Sequence, residues 1–207
     1  MKQFNIILDL GHGGINSKGV YTTAPSKMHQ FPDTKEYSYE GVFNRQIGEK
    51  VGNYLKELGY CVIYTVEPKD ATDLSLGKRV AMANTYPASS TVFISLHSNA
   101  SSTHTARGFE IFTSVGETRS DVLATYIGEE IINEFPTIKY RTDYSDRDLD
   151  KESQFYVLKN TICPAVLLEN LFFDNKIDFD LLRSESFQKR LSWRISQGII
   201  RYLKTIR

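Results

Sequence analysis

Short apolar runs alternate along this chain with segments whose apolar residues recur at helical spacing, and this alternation constrains the fold more than any other feature. The run "IILDL" near the start is typical of a buried strand. By contrast, a later segment carries residues at helical spacing that indicate one face of a helix: Phe43, Ile47, Val51, Tyr54, Leu55 and Leu58. Strands that alternate with helices predict an α/β fold. We expect a three-layer sandwich in which helices cover both faces of a mixed, mostly parallel sheet of about five or six strands.

Two long polar segments interrupt the series of predicted elements. Strands are predicted at 4–10, 60–66, 91–97, 108–114 and 165–170, and helices at 40–58, 74–86, 119–135 and 184–205. The segments 13–39 and 137–154 are predicted to be loops. A loop as long as 13–39 usually carries function or is disordered. Its aromatic residues are predicted either to contact sugar rings or to fix the loop to the domain: Tyr21, Phe31, Tyr37 and Tyr39.

Length and charge limit the class of protein. A chain of 207 residues without an internal repeat or a linker suits one α/β domain. Lys+Arg and Asp+Glu number 25 each, so there is no electrostatic basis for binding nucleic acid or an anionic membrane. No apolar run suits a signal peptide or a membrane span. Cys61 and Cys163 lack metal or redox spacing and are predicted to be buried free thiols.

Polar residues occur where three predicted strands end. His12 follows the first strand within "GHGG", His97 ends the third, and Glu169 ends the fifth. Ligands of open α/β sheets bind at the carboxyl ends of the strands. Glu40 begins the first helix on its apolar face, so its carboxylate is predicted to point inward. An ionised carboxylate there needs a partner or a cation.

Two histidines and one carboxylate are the smallest ligand set of a catalytic zinc site, and a second carboxylate can supply the acid/base partner. Each residue taken alone has a structural alternative. A histidine at a strand end is often a satisfied polar residue, and an acid at a helix start often interacts with the helix dipole. The joint placement of all four residues favours a metal site.

The chain resembles zinc-dependent N-acetylmuramoyl-L-alanine amidases, the group typified by bacterial autolysins and phage endolysins, from residue 6 to about residue 200. The shared motifs occur in the same order: "LDLGHGG" (8–14), Glu40 with Asn44, "LSLGKRVAMAN" (74–84), "VFISLHSNA" (92–100), "RGFEIF" (107–112) and "CPAVLLENLFFDN" (163–175). Leu10 departs from the usual Pro, Gly41 departs from the common Lys, and the 13–39 loop is longer than in many members. The long loop leaves the fine substrate preference open.

The resemblance implies hydrolysis of the amide between N-acetylmuramic acid and L-alanine in peptidoglycan. It implies one zinc ion on His12, Glu40 and His97, with Glu169 as the catalytic residue. Glu169 would take a proton from a water whose pKa the zinc lowers to about 7, and would pass it to the departing nitrogen.

Substrate contacts are predicted at Asn99 and Arg107. Asn99 could instead orient His97 or hold a turn. Arg107 and Arg147 could meet a peptide carboxylate, although arginines in loops are mostly solvated. Arg79 is predicted to make structural contacts between a helix and a loop.

Three alternatives stay open from the sequence. The first is a zinc peptidase that cleaves another bond of the peptide stem. The second is a non-catalytic wall-binding relative, which would lack one of the four site residues. The third is a purely structural zinc site, which would favour four ligands with several cysteines. We expect residues 1–207 to be one catalytic domain without a separate wall-binding module. We also expect it to act as a monomer on the bacterial cell wall, either released in the manner of a phage enzyme or as a piece of an exported protein.

Overall fold

The computed structural model describes residues 4–23, 25–144 and 148–206. Strands within these residues are β1 (Asn5–Leu10), β2 (Met28–Gln30), β3 (Tyr37–Tyr39), β4 (Cys61–Tyr64), β5 (Thr91–Asn99), β6 (Glu110–Thr113), β7 (Lys151–Glu152) and β8 (Ala165–Phe172). The helices are α1 (Glu40–Glu57), α2 (Leu76–Ala83), α3 (Arg119–Glu134), α4 (Tyr156–Asn160), α5 (Lys176–Leu182) and α6 (Glu185–Thr205).

Six of the described strands form one sheet in the order β4–β1–β5–β8–β6–β7. Strands β4, β1, β5 and β8 are parallel, β6 runs antiparallel to β8, and β7 is parallel to β6. Helices α1, α3, α5 and α6 contribute to the core on one face, and α2 and α4 contribute to the core on the other. The predicted three-layer α/β fold with a mostly parallel sheet is therefore confirmed.

Strand β1 shows how the sequence produces two cores. Ile6, Leu8 and Leu10 enter the larger core beneath α1 and α6, whereas Ile7 enters the smaller core beneath α2. Side chains alternate between the faces of a strand, so a strand covered on both sides needs an apolar run rather than an apolar–polar alternation. Asp9 lies in this run and is also buried.

Helix α1 buries the face that its spacing predicts. Phe43, Ile47, Val51 and Leu55 all lie in the larger core. Leu58, which belongs to the same predicted face, is 51% exposed, and this part of the prediction is wrong. Leu58 is the C-cap residue, and Gly59 with φ 82° turns the chain away from the helix.

The two segments predicted to be loops contain short strands. Strands β2 and β3 form an antiparallel hairpin within 13–39, and β7 lies within 137–154. Helices α4 and α5 also occur where none was predicted. Elements of two to seven residues carry too few apolar positions to show a period.

The hairpin formed by β2 and β3 is docked on the domain by an aromatic contact. Phe31 is buried, and its ring centre lies 4.8 Å from that of Phe179 in α5. Tyr21 is buried as well, whereas Tyr37 is exposed. The sequence-based alternative that aromatic residues fix the loop to the domain therefore holds for Phe31 and Tyr21. In the part of the chain that the structure describes, no helix has the length and apolar character that a membrane span requires.

Candidate metal centre

His12 lies just past the end of β1 in an uncommon backbone conformation. Its φ is 63°, in the left-handed region that few residues other than glycine adopt. Asn44 of α1 donates from Nδ2 to the Gly11 carbonyl at 3.1 Å, and Arg45 donates from Nη1 to the His12 carbonyl at 2.8 Å. Helix α1 thus holds the turn that directs the His12 imidazole towards the sheet edge.

Glu40 is the first residue of α1, and its carboxylate is 1% exposed. Oε1 lies 2.9 Å from His97 Nδ1 and 3.2 Å from His12 Nε2, and Oε2 lies 3.4 Å from Lys27 Nζ. The inward orientation predicted from the helix face is therefore observed. The carboxylate meets both imidazoles and one ammonium group.

His97 occupies the carboxyl-terminal part of β5, directly opposite the turn after β1. Gly11 is required beside it, because a Cβ at that position would overlap the His97 ring. The two imidazole ring centres lie 4.9 Å apart. One ligand atom from each of His12, Glu40 and His97 lies within 4.8 Å of the others, so these three residues could hold one metal ion.

The charges of the three groups depend on one another. Burial alone would raise the pKa of Glu40, but hydrogen bonds and charge from both histidines hold it below its ordinary value. Burial lowers the pKa of His12, and Glu40 only partly opposes this. Burial also disfavours the charged form of His97, yet Glu40, together with the charges of Glu169 and Asp9, outweighs burial and the pKa of His97 is raised. The cluster therefore keeps one ionised carboxylate between two imidazoles.

Glu169 lies next to His97 in register, on the adjacent strand β8. Its Oε2 atom is buried and has no hydrogen-bond partner among the described residues. Burial raises the pKa of Glu169 to about 8, His97 opposes the shift, and the charge of Glu40 adds to it. A half-buried carboxyl group with a pKa near neutrality is suited to proton transfer.

A bulge in β8 immediately follows Glu169. His97 pairs with Glu169 and Asn99 pairs with Phe172, so β8 contains one extra residue at this point. Leu171 within the bulge has a φ of 66° and is fully buried. Bulges and uncommon φ values concentrate next to functional sites. The sequence "ENLFF" gives no sign of this bulge, because leucine is not a residue that predicts it.

A buried ion pair lies behind the metal cluster. Arg79 of α2 donates from Nη1 to Asp9 Oδ1 at 2.7 Å and to the Leu10 carbonyl at 2.8 Å. Ser95 and Thr65 each donate a hydroxyl to Asp9 at 2.6 Å. These contacts keep the pKa of Asp9 below its ordinary value, although burial alone would raise it. Arg79 thus makes the structural contacts predicted for it.

The same arginine borders a cleft of about 400 Å³ beside the metal cluster. His12 and His97 line one side of the cleft, and residues 73–76 line the other together with Arg79. One end of a substrate could reach the two imidazoles from this cleft.

Arg45 is the main residue of the site that sequence reasoning missed. The guanidinium group is buried and donates to five carbonyl oxygens, those of His12, Gly13, Gly41, Asp70 and Thr72. Burial lowers the pKa of Arg45 to about 10. A single arginine on a helix is normally predicted to be solvated, and nothing in the sequence separates this one from the exposed arginines.

The two predicted substrate contacts make other interactions in the structure. Asn99 donates from Nδ2 to Glu110 and accepts from the Ala100 N–H. The His97 carbonyl instead accepts a hydrogen bond from Asn170. Arg107 donates from Nε to Asp178 at 2.9 Å. Arg147 lies outside the described residues.

Comparisons with known proteins agree with this geometry. The sequence profile of the family described as N-acetylmuramoyl-L-alanine amidase matches residues 6–201. The uncharacterized protein YqiI of Bacillus subtilis is 31% identical over 200 residues, which cover 95% of this chain and 84% of that protein. An uncharacterized cell wall amidase of Bacillus anthracis is 30% identical over 95% of this chain but only 35% of its own length.

A solved structure shares the fold over nearly the whole chain. The N-acetylmuramoyl-L-alanine amidase from Clostridium difficile 630 superposes with a TM-score of 0.78 at 27% identity and covers 99% of both chains. The resemblance stated from the sequence motifs is therefore confirmed.

Proposed function

This chain belongs to the N-acetylmuramoyl-L-alanine amidase family, and we propose that it uses one zinc ion on His12, Glu40 and His97 to hydrolyse peptidoglycan between N-acetylmuramic acid and L-alanine. The observation that carries the proposal is the convergence of three ligand atoms within 4.8 Å beside a strand that carries Glu169, whose Oε2 atom is buried. The Bacillus anthracis relative named as a cell wall amidase supports the same bacterial substrate.

The donor set suits zinc. Two imidazoles and one carboxylate are a typical ligand set of catalytic zinc sites, which leave a fourth position open. Nε2 of His12 is buried and, among the described residues, makes no well-aligned hydrogen bond beyond its 3.2 Å contact with Glu40 Oε1, so a cation would satisfy this polar atom. Glu40 contributes the negative charge. When bound, zinc supplies Lewis acidity, which polarises a carbonyl group and makes water a stronger acid.

Glu169 carries out the proton transfers in this proposal. It accepts a proton from the attacking water as the water oxygen bonds to the amide carbon. It then donates the proton to the alanine nitrogen as the carbon–nitrogen bond breaks. Its pKa near neutrality lets the same carboxyl group act first as base and then as acid.

We extend the proposal to the organisation of the chain. Residues 1–207 act as one catalytic domain on the bacterial cell wall, which agrees with the single central sheet that the described residues share. That the domain works as a monomer stays a prediction.

The test combines metal content with identification of the products. Purified protein is expected to contain one zinc per chain and to release new L-alanine amino termini from purified peptidoglycan. Glu169→Gln is expected to keep the zinc and to lose about 10²–10⁴-fold in rate. His97→Ala is expected to lose the zinc. Glu185→Gln, which changes an exposed carboxylate paired with Lys50, is the matched control and is expected to retain both properties.

Each part of the proposal has its own refutation. New termini other than L-alanine would show a peptidase that cleaves another bond. Full activity of Glu169→Gln would remove its role in proton transfer, and full zinc occupancy of His97→Ala would remove that histidine from the ligand set.

A further inference from the structure

Two positively charged side chains lie on the far side of Glu169 from the metal cluster. The sheet order places His97 on β5, Glu169 on β8 and then Glu110 on β6. These three residues are in register across the strands, so their side chains leave the sheet on the same face. Glu110 is buried and extends the row of site residues by one strand.

Glu110 holds both of these cations. Arg141 donates from Nε to Glu110 Oε1 at 2.9 Å, and Lys151 Nζ lies 2.5 Å from the same oxygen. The Arg141 guanidinium carbon lies 5.6 Å from the centre of the Phe172 ring, which fixes its position further. Glu110 thus brings one negative charge to the two positive charges of Arg141 and Lys151.

We propose that Arg141 and Lys151 form a subsite for a carboxylate on the peptide part of the substrate, a specificity that rests on the proposed function. Both side chains remain accessible, with 31% and 28% of their surfaces exposed. The scissile amide must lie between the metal cluster and Glu169, so one half of the substrate extends over β8 and β6. The peptide half bears free carboxylates, whereas the lactyl carboxyl group of the sugar half is part of the scissile amide.

The spacing indicates which acid is bound. Neighbouring strands lie about 4.8 Å apart, so the cations lie one to two strand spacings beyond Glu169. Two extended peptide residues span about 7 Å. A carboxylate on the second residue after the scissile bond therefore falls within reach of Arg141.

Arg107, one of the two arginines predicted to meet a peptide carboxylate, is placed differently. Its Nε pairs one-to-one with Asp178, which is fully buried and also accepts from the backbone N–H groups of Gly108 and Phe172. Arg107 therefore joins the loop before β6 to α5, and its charge is matched by that of Asp178.

The experiment compares two synthetic muramyl peptides that differ only at the second residue, which carries either a free α-carboxylate or the corresponding carboxamide. The wild-type protein with zinc is expected to favour the carboxylate by about tenfold in kcat/KM, the scale of a charged hydrogen bond reduced by partial exposure. Arg141→Gln is expected to reduce this preference to less than about twofold, through a higher KM for the acidic peptide with kcat unchanged. Arg141→Lys is expected to restore most of it.

Two further variants complete the design. Lys151→Gln is expected to weaken the preference as well, and it keeps the test valid if Arg141→Gln fails to fold. Arg183→Gln is the matched control, because Arg183 is an exposed arginine that pairs with Glu36. Arg107→Gln tests the alternative arginine. Both variants are expected to keep the preference for the carboxylate.

The outcomes separate this subsite from the amidase activity itself. Equal hydrolysis of both peptides by the wild type would overturn the subsite and leave the amidase function standing. An equal loss of kcat/KM on both peptides in Arg141→Gln and Lys151→Gln would also overturn the subsite, since that pattern indicates a structural role. Hydrolysis of neither peptide by the wild type would refute the proposed function and the subsite with it.

Discussion

Replacement of Arg45 by methionine tests whether one buried cation organises the metal centre. The substitution keeps a long side chain but removes the donors to five carbonyl oxygens, among them those of His12 and Gly13. Removal of one partner from a buried charged network typically costs about 3–5 kcal/mol. A domain has only about 5–15 kcal/mol of stability in total. Arg45→Met is therefore expected to remain folded with a large loss of stability.

Urea unfolding followed by far-UV circular dichroism measures this loss. With a slope of about 2–3 kcal/mol per molar urea, a loss of about 3–5 kcal/mol lowers the midpoint by roughly 1–2.5 M. Arg190→Met is the matched control, because that arginine is 58% exposed and pairs with Glu134 at the surface. The control is expected to cost less than about 1 kcal/mol.

The same variant should also weaken zinc binding, because Arg45 holds the carbonyl of a ligand residue. Outer contacts of this kind change metal affinity by about 10–100-fold. A midpoint within about 0.5 M of the wild type, together with unchanged zinc affinity, would refute the reasoning. It would mean that the five carbonyl groups find other donors and that the turn at His12 keeps its conformation unaided.

Two further predictions concern the ligand geometry and the response to pH. Gly11→Ala is expected to lower zinc affinity by about 10–100-fold, because the new Cβ would overlap the His97 ring. Gly77→Ala is the control, because its Cβ would meet nothing closer than 3.9 Å. Equal zinc affinities of the two variants in a competition titration would contradict the prediction. Burial and the charge of Asp148 raise the pKa of Asp150 to about 7, although its hydrogen bond with Thr113 opposes the shift. The folded state then binds this proton more tightly than the unfolded chain does, so stability falls as the pH rises from about 4 to about 7, by up to about 4 kcal/mol. Asp150→Asn is expected to flatten this part of a plot of Tm against pH, and an unchanged slope would argue against it.

The sequence predicts the strands that bring the site together because their burial leaves a strong pattern. Apolar runs predict β1, β5 and β8, and the polar residue at the end of each run marks the sheet edge where ligands bind. The helical face of Glu40 alone predicts that its carboxylate points inward. The structure places its carboxylate against both histidines.

Other features of the site depend on contacts between residues that are distant in the chain. The bulge after Glu169 exists only relative to its partner strand β5. Arg141 is identified only by its contact with Glu110, which lies 31 residues away in sequence. Leu58 illustrates the same limit, since its spacing continues the apolar face but the helix has already ended. Periodicity describes one element at a time and carries no information on such contacts.

The two kinds of contact contribute differently to the site. The apolar core places β1 beside β5 and β5 beside β8, which brings His12, His97 and Glu169 to one edge with an accuracy of about one strand spacing of 4.8 Å. A metal site requires ligand atoms placed to within about 0.5 Å. Only directional contacts supply that accuracy, and here they are the hydrogen bonds of Asn44 and Arg45 to the turn at His12. The buried polar groups behind the site therefore convert a sheet edge that many α/β proteins share into one that can hold a metal ion.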